Sequence, residues 1–188
     1  MSPILGIWAS AQQPALNATS YESIATVTVG SGGSSSITFS SIPSTYKHLQ
    51  IRCFAQTSGT AYGKLSFNSD TTNANYKAHE LYGDGASASA TAYAQSYGGV
   101  LINAYGGWSN SSSSAWSNTI IDILDYTSTN KNKTTRTLSG YDNNGSGSVE
   151  FQSGLWLATP AAITSITLTL SANTFSQYSS FALYGVKG

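Results

Sequence analysis

The sequence predicts an all-β protein: an antiparallel β-sandwich, of jelly-roll type, preceded by an extended N-terminal arm. Three observations carry this prediction. Short β-branched or alternating segments recur along most of the chain, with Gly, Pro, Asn and Asp between them. No segment sustains the 3.6-residue apolar period of a helix, so parallel strands would lack their crossovers. Charged residues make up only 9% of the chain, against about 25% in an ordinary domain. Ser, Thr, Gly, Asn and Tyr take their place, and these supply turns and strands rather than helices.

Taken in order, residues 22–29 (ESIATVTV) are β-branched and alternating, and a Gly/Ser run closes them. A short return strand at 36–39 stops before Pro43. Leu49, Ile51 and Cys53 alternate with Gln50 and Arg52, the pattern of a half-buried strand. Residues 64–67 and 76–82 give two more strands around an Asn-rich loop. From 86 to 114 the chain is Gly, Ser, Ala and Tyr with little period, and only Val100, Leu101 and Ile102 have core character. A strong strand follows at 118–126 (NTIIDILDY). Asp142, Asn143, Asn144 and Gly145 form a hairpin turn between segment 131–141 and a run in which Val149, Phe151, Leu155 and Leu157 alternate with polar residues. Ile166, Leu168 and Leu170 alternate with threonines, and the chain closes on 181–186 (FALYGV). Eight or more short strands joined by long polar connections fit two Greek keys wrapped as a jelly roll.

At 188 residues the chain accommodates one β-domain, read as 21–188, behind an arm of residues 1–20. The arm carries Ile4, Leu5, Ile7 and Trp8, apolar side chains that need a neighbour's surface. It is not expected to be a cleaved leader, because no Lys or Arg precedes Lys47 and Pro3, Gly6 and Pro14 interrupt the apolar run. Formal net charge is zero with scattered cations, which argues against nucleic-acid partners. No stretch approaches the roughly 18 apolar residues of a membrane span. Weak repulsion between copies favours self-assembly.

Catalytic chemistry is thinly represented, and the chain is read as non-enzymatic, with no cofactor and no metal. His48 and His79 lack the spacing of a zinc site. Asp122 and Asp125, three apart on a strand, point to opposite faces and cannot act as a facing acid–base pair. Asp70, Asp84 and Asp142 sit in turn-rich loops without a calcium-loop spacing. Cys53 reads as a buried small hydrophobe. Tyr93, Tyr97, Tyr105 and Trp108, set among Gly, Ser and Asn, have the composition of a recognition surface suited to stacking on sugars; half-buried strand tyrosines and packing between subunits are the competing readings.

Several segments together resemble a family of tailed-bacteriophage virion proteins: 4–10 (ILGIWAS), 21–30 (YESIATVTVG), 37–43 (ITFSSIP), 46–52 (YKHLQIR), 123–126 (ILDY), 130–134 (NKNKT), 154–156 (GLW), 162–166 (AITSI) and 181–185 (FALYG). The resemblance spans most of the chain apart from 86–114. It implies a virion component assembled in the host cytoplasm: a tail or tail-fibre protein docked by its N-terminal arm, or a capsid decoration protein. It further implies other virion proteins as partners and a homotrimer. A carbohydrate-binding module that contacts host-surface glycan is the alternative from a different class.

Overall fold

The computed structural model describes residues 20–94, 97–103, 108 and 115–188. Twelve strands run in the order β1 (Tyr21–Thr28), β2 (Ser36–Phe39), β3 (His48–Ala55), β4 (Gly63–Phe67), β5 (Tyr76–Gly83), β6 (Ala88–Ala94), β7 (Val100–Ile102), β8 (Ser117–Ile123), β9 (Lys133–Asp142), β10 (Gly147–Trp156), β11 (Ile166–Leu170) and β12 (Ser180–Val186). They form an eight-stranded sheet, β1-β12-β3-β8-β9-β10-β5-β6, and a four-stranded sheet, β2-β11-β4-β7. Among the described residues every pairing between strands is antiparallel. The fold is a β-sandwich. Among the described residues no helix is long and apolar enough to cross a membrane.

The sheet orders contain a simpler frame. With β5, β6, β9 and β10 set aside, the other eight strands can be numbered 1 to 8 along the chain. The larger sheet then reads 1-8-3-6 and the smaller 2-7-4-5. The four strands set aside form two hairpins that lie side by side and widen the larger sheet beyond β8.

Within the frame, burial follows the sequence alternation. Leu49, Ile51 and Cys53 of β3, Ile121 and Ile123 of β8, and Phe181 and Leu183 of β12 face Leu65, Phe67, Ile166 and Leu168 of the smaller sheet, all buried. These side chains make one continuous core. The widened part departs from this pattern. On β9 the buried residues are Lys133, Thr135, Thr137 and Ser139, and on β10 they include Glu150 and Gln152. Val149 and Phe151, apolar members of the alternating run on β10, point outward and are 57% and 46% exposed.

Trp156 sets that parity. It packs on Phe67 with ring centroids 5.6 Å apart, and its Nε1 donates to Asp70 at 2.7 Å. Successive strand side chains alternate faces, so an inward Trp156 forces Gly154, Gln152 and Glu150 inward and Leu155, Phe151 and Val149 outward. Gly154 is where β10 meets β7: a Cβ there would lie 2.2 Å from Val100 Cγ1. The turn between β9 and β10 has Asn144 and Gly145 at positive φ (51° and 97°), as a tight hairpin of right-handed strands requires.

Candidate functional site

The outer face of the widened sheet is apolar and in register. Ile120 of β8 lies opposite Leu138 of β9, Leu138 opposite Phe151 of β10, Phe151 opposite Leu81 of β5, and Leu81 opposite Ala90 of β6. Leu138 and Leu81 are 52% and 56% exposed. The next row runs Phe54, Asn118, Gly140, Val149, Gly83 and Ala88. At its β3 end Phe54 stacks on Trp116 at 5.3 Å. Gly140 leaves room beside Val149 for a shallow groove of about 280 Å³, lined also by Asn118, Ile120 and Leu138.

On its other side the stripe is bounded by a polar row. Gln50 Nε2 donates to Asp122 at 2.8 Å, and Arg136 pairs with the same carboxylate at 3.1 Å. Arg52 sits between the rings of Tyr21 and Tyr184, 5.4 and 5.2 Å from their centroids. An apolar centre with a polar rim is the anatomy of a protein interface, and contiguous exposed apolar surface of this kind marks an interaction site.

A second feature gathers tyrosines. Tyr97 meets Tyr62 edge-on at 5.4 Å and Tyr93 edge-on at 6.5 Å. Tyr97 and Tyr62 flank an open groove of about 370 Å³ whose other walls include Lys64, Thr71, Asn73 and Thr169. Of the recognition residues expected from the sequence, Tyr97 reaches this surface and Tyr93 is half-buried beneath it. Trp108 is a core residue instead. It is 2% exposed and stands edge-on to Phe175 at 5.5 Å, so its indole face is not open to a ligand. Tyr105, and the arm residues Ile4, Leu5, Ile7 and Trp8, lie outside the described residues.

Beneath Tyr93 the sequence reading missed a buried polar layer on the inner face of β9, β10 and β5. Glu80, Glu150, Gln152, Thr137 and Ser139 are all at most 5% exposed. Gln152 Nε2 donates to Glu80 Oε2 at 3.1 Å, and the Asn103 backbone N–H donates to Gln152 Oε1 at 3.2 Å. Burial, a hydrogen bond to Glu80 and the nearby Glu80 and Glu150 carboxylates raise the Tyr93 phenol above its ordinary pKa. The available signal was the polar set 133, 135, 137 and 139 alternating with outward residues, which reads equally well as a solvent face.

The remaining candidates are structural. Asp125 is held well below the carboxylate range by hydrogen bonds from Lys47 and Lys131. His48 Nδ1 accepts the Asp125 backbone N–H at 3.0 Å. Cys53 is buried, and burial raises its thiol far above the ordinary value, so it is not a nucleophile. Among the described residues no three His, Cys, Asp or Glu side chains converge. No family model, no curated protein and no solved structure matches this chain.

Proposed function

We propose that this chain is a non-enzymatic structural protein of a bacteriophage particle, a component of the tail or its fibres. Residues 1–20 serve as the docking arm through Ile4, Leu5, Ile7 and Trp8, and the β-domain is presented for assembly, as a homotrimer, or for host attachment. The observation that carries the reading is the apolar row Ile120, Leu138, Phe151 and Leu81 on the outer face, three of its members about half exposed. A monomer gains nothing from such a face, whereas an assembly component covers it. Zero net charge and the sequence resemblance support the same reading. In this reading the 1-8-3-6 and 2-7-4-5 frame is a jelly roll of two Greek keys, widened by two hairpins that create the docking face.

The test is location. Purified particles are probed by mass spectrometry and by gold-labelled antibody against the β-domain. Label on the tail is expected; label distributed over the head makes the chain a capsid decoration protein, and absence from particles overturns the proposal. Deleting residues 1–16 is expected to abolish incorporation while the domain still folds, and full incorporation of the truncated chain refutes the arm's role. A second reading, a carbohydrate-binding surface, draws on the groove between Tyr62 and Tyr97, where aromatic walls stand beside Lys64 and Asn73. Binding to host polysaccharide that Tyr97→Ala removes supports it, and no binding by the intact chain refutes it.

A further inference from the structure

The inner layer under Tyr93 brings together oxygens that the protein does not satisfy. Glu80 Oε1, Asn103 Oδ1, Thr137 Oγ1 and Ser139 Oγ are buried and, among the described residues, accept or donate no hydrogen bond. Strand register places them around one spot. Glu80 lies opposite Gln152, Gln152 opposite Thr137, and Ser139 opposite Glu150. Glu150 and Glu80 are therefore diagonal neighbours on one inner face, with backbones about 7–8 Å apart, within reach of a single ion between their carboxyl groups. Asn103 stands across the same region. Its Nδ2 donates to Thr119 on β8 at 3.5 Å and its N–H to Gln152 on β10, so it bridges over β9, where Thr137 and Ser139 project inward.

The chain's own cations are committed elsewhere. Lys47 and Lys131 pair with Asp125, Arg136 with Asp122 and Lys187 with Glu22. Lys133 donates to the carbonyls of Ser128 and Lys131, and Arg52 lies between two tyrosine rings. Lys77 shares the outward parity of Leu81 on β5, and Lys64 lines the outer groove of the smaller sheet. The Glu80 carboxylate thus sits in a low-dielectric layer with hydrogen bonds but no basic side chain. A buried carboxylate of that kind is costly unless a cation or a proton joins it.

A proton would neutralise Glu80 but leave the Asn103 carbonyl oxygen and both hydroxyls unsatisfied. A metal ion answers all of them together. The donors are exclusively oxygen, with two carboxylates, an amide carbonyl and two hydroxyls, which selects a hard cation over zinc or copper. Their irregular spread across three strands and the loop at Asn103 suits calcium, which takes six to eight oxygens in flexible geometry, better than magnesium, which demands an octahedron. We propose that the inner face of β5, β9 and β10 is a calcium site formed by Glu80, Glu150, Asn103, Thr137 and Ser139. The ion ties the two added hairpins to the frame through Asn103, and this does not depend on which particle the chain joins.

The experiment uses the full chain, stripped with a chelator and returned to chelator-free buffer. Thermal unfolding is followed with and without millimolar calcium, and terbium luminescence is excited through the tyrosines, Tyr93 being in contact with Glu80. Calcium is expected to raise Tm by several degrees, because an ion that binds only the folded state stabilises it. Terbium emission should appear and be competed away by calcium. E80Q should weaken binding at least tenfold; where E80Q does not fold, N103A and S139A are read in its place and should weaken binding several-fold. A Tm that calcium and chelator leave unchanged, with no terbium signal, overturns the site. So does ion binding that E80Q or N103A leaves at wild-type affinity, or an E80Q chain that is more stable than an ion-indifferent wild type, which shows that no cation compensates the Glu80 carboxylate.

Discussion

Replacing Leu138 and Phe151 by threonine tests whether the outer face of the widened sheet is a docking surface. Both side chains are about half exposed, as are Leu81 and Val149. Complete burial of a large apolar side chain is worth about 1.5–3 kcal/mol, so covering the exposed half of each yields about 0.7–1.5 kcal/mol. The four together supply about 3–6 kcal/mol to association. Removing two of them takes away about half, roughly 1.5–3 kcal/mol, which is about a 10- to 100-fold loss of affinity. Threonine is β-branched, a shape that a strand favours. The isolated fold therefore gives up only the buried halves, about 1–3 kcal/mol between them. Circular dichroism melts establish that the double variant folds, and quantitative mass spectrometry of particles measures its incorporation against wild type. A variant that is incorporated at wild-type occupancy, at limiting concentration, refutes the reasoning. In that case the face contributes nothing to assembly.

Substitutions at Gly154, Asp70, Trp108 and Tyr97 probe what holds the frame and what the tyrosine groove does. Gly154→Ala puts a methyl 2.2 Å from Val100 Cγ1 and 2.4 Å from Thr135 Oγ1, and overpacking of this kind costs about 1–3 kcal/mol. Urea titrations should show that Val100→Ala in the same chain returns part of that loss, and strict additivity of the two changes would count against a contact between the sheets there. Asp70 accepts from Trp156 Nε1 at 2.7 Å, Asn75 Nδ2 at 2.8 Å and the Thr72 N–H at 2.9 Å. Burial raises its pKa, but those bonds outweigh burial and hold it below the ordinary carboxylate range. Its contribution is therefore complete above the unfolded-state pKa of about 3.9 and is lost as pH falls through the lower folded-state value. Asp70→Asn should cost about 1–3 kcal/mol at neutral pH and flatten the acid limb of the stability curve; an unchanged acid limb refutes the assignment. Trp108→Ala should destabilise the whole domain by about 3–5 kcal/mol, since it empties a core position. Tyr97→Ala should leave the melt within a degree or two of wild type, and a Trp108 variant of wild-type stability contradicts the buried placement.

The frame of the sandwich was legible because its strands obey a single rule. Leu49, Ile51 and Cys53, then Ile166, Leu168 and Leu170, alternate apolar with polar and bury the apolar set, and Phe181 and Leu183 are buried on either side of Ala182. The turn at Asn144 and Gly145 was legible because few residues other than these accept positive φ cheaply. β6 was not legible. Ala88, Ala90 and Ala92 on one face and Ser89 and Thr91 on the other differ too little in hydrophobicity to show a period, and the strand exists because β5 offers it an edge. Trp108 misled for a different reason. Its neighbours Gly106, Gly107, Ser109 and Asn110 have a surface composition, yet a single large indole among small residues is what a gap beside Phe175 accepts.

The inverted hairpins carry a broader lesson about alternation. Period two states that two sets of side chains face opposite ways; it does not state which set faces in. On β10 the apolar set Val149, Phe151 and Leu155 had the better claim to the core by hydrophobicity alone. Trp156 and its bond to Asp70 decide otherwise, and on β5 the inward Tyr76 decides in the same sense. Its hydroxyl donates to the Asp70 carbonyl at 2.8 Å and accepts the Phe67 N–H at 3.1 Å. Each strand is thus pinned by an aromatic anchor at the end nearest the frame, and parity carries the consequence outward along the sheet. At the far end it leaves Leu81, Leu138, Val149 and Phe151 facing out and Glu80, Glu150 and Gln152 facing in. Both faces are then unfavourable for a lone chain, by some kcal/mol of uncovered apolar surface on one side and, on the other, of the Glu80 oxygen left without a hydrogen bond among the described residues. The two costs call for different remedies, an apolar partner outside and a cation inside. On the proposed reading the two sites lie back to back across a single sheet, so that an ion held at the inner one stiffens the platform on which a partner docks at the outer one.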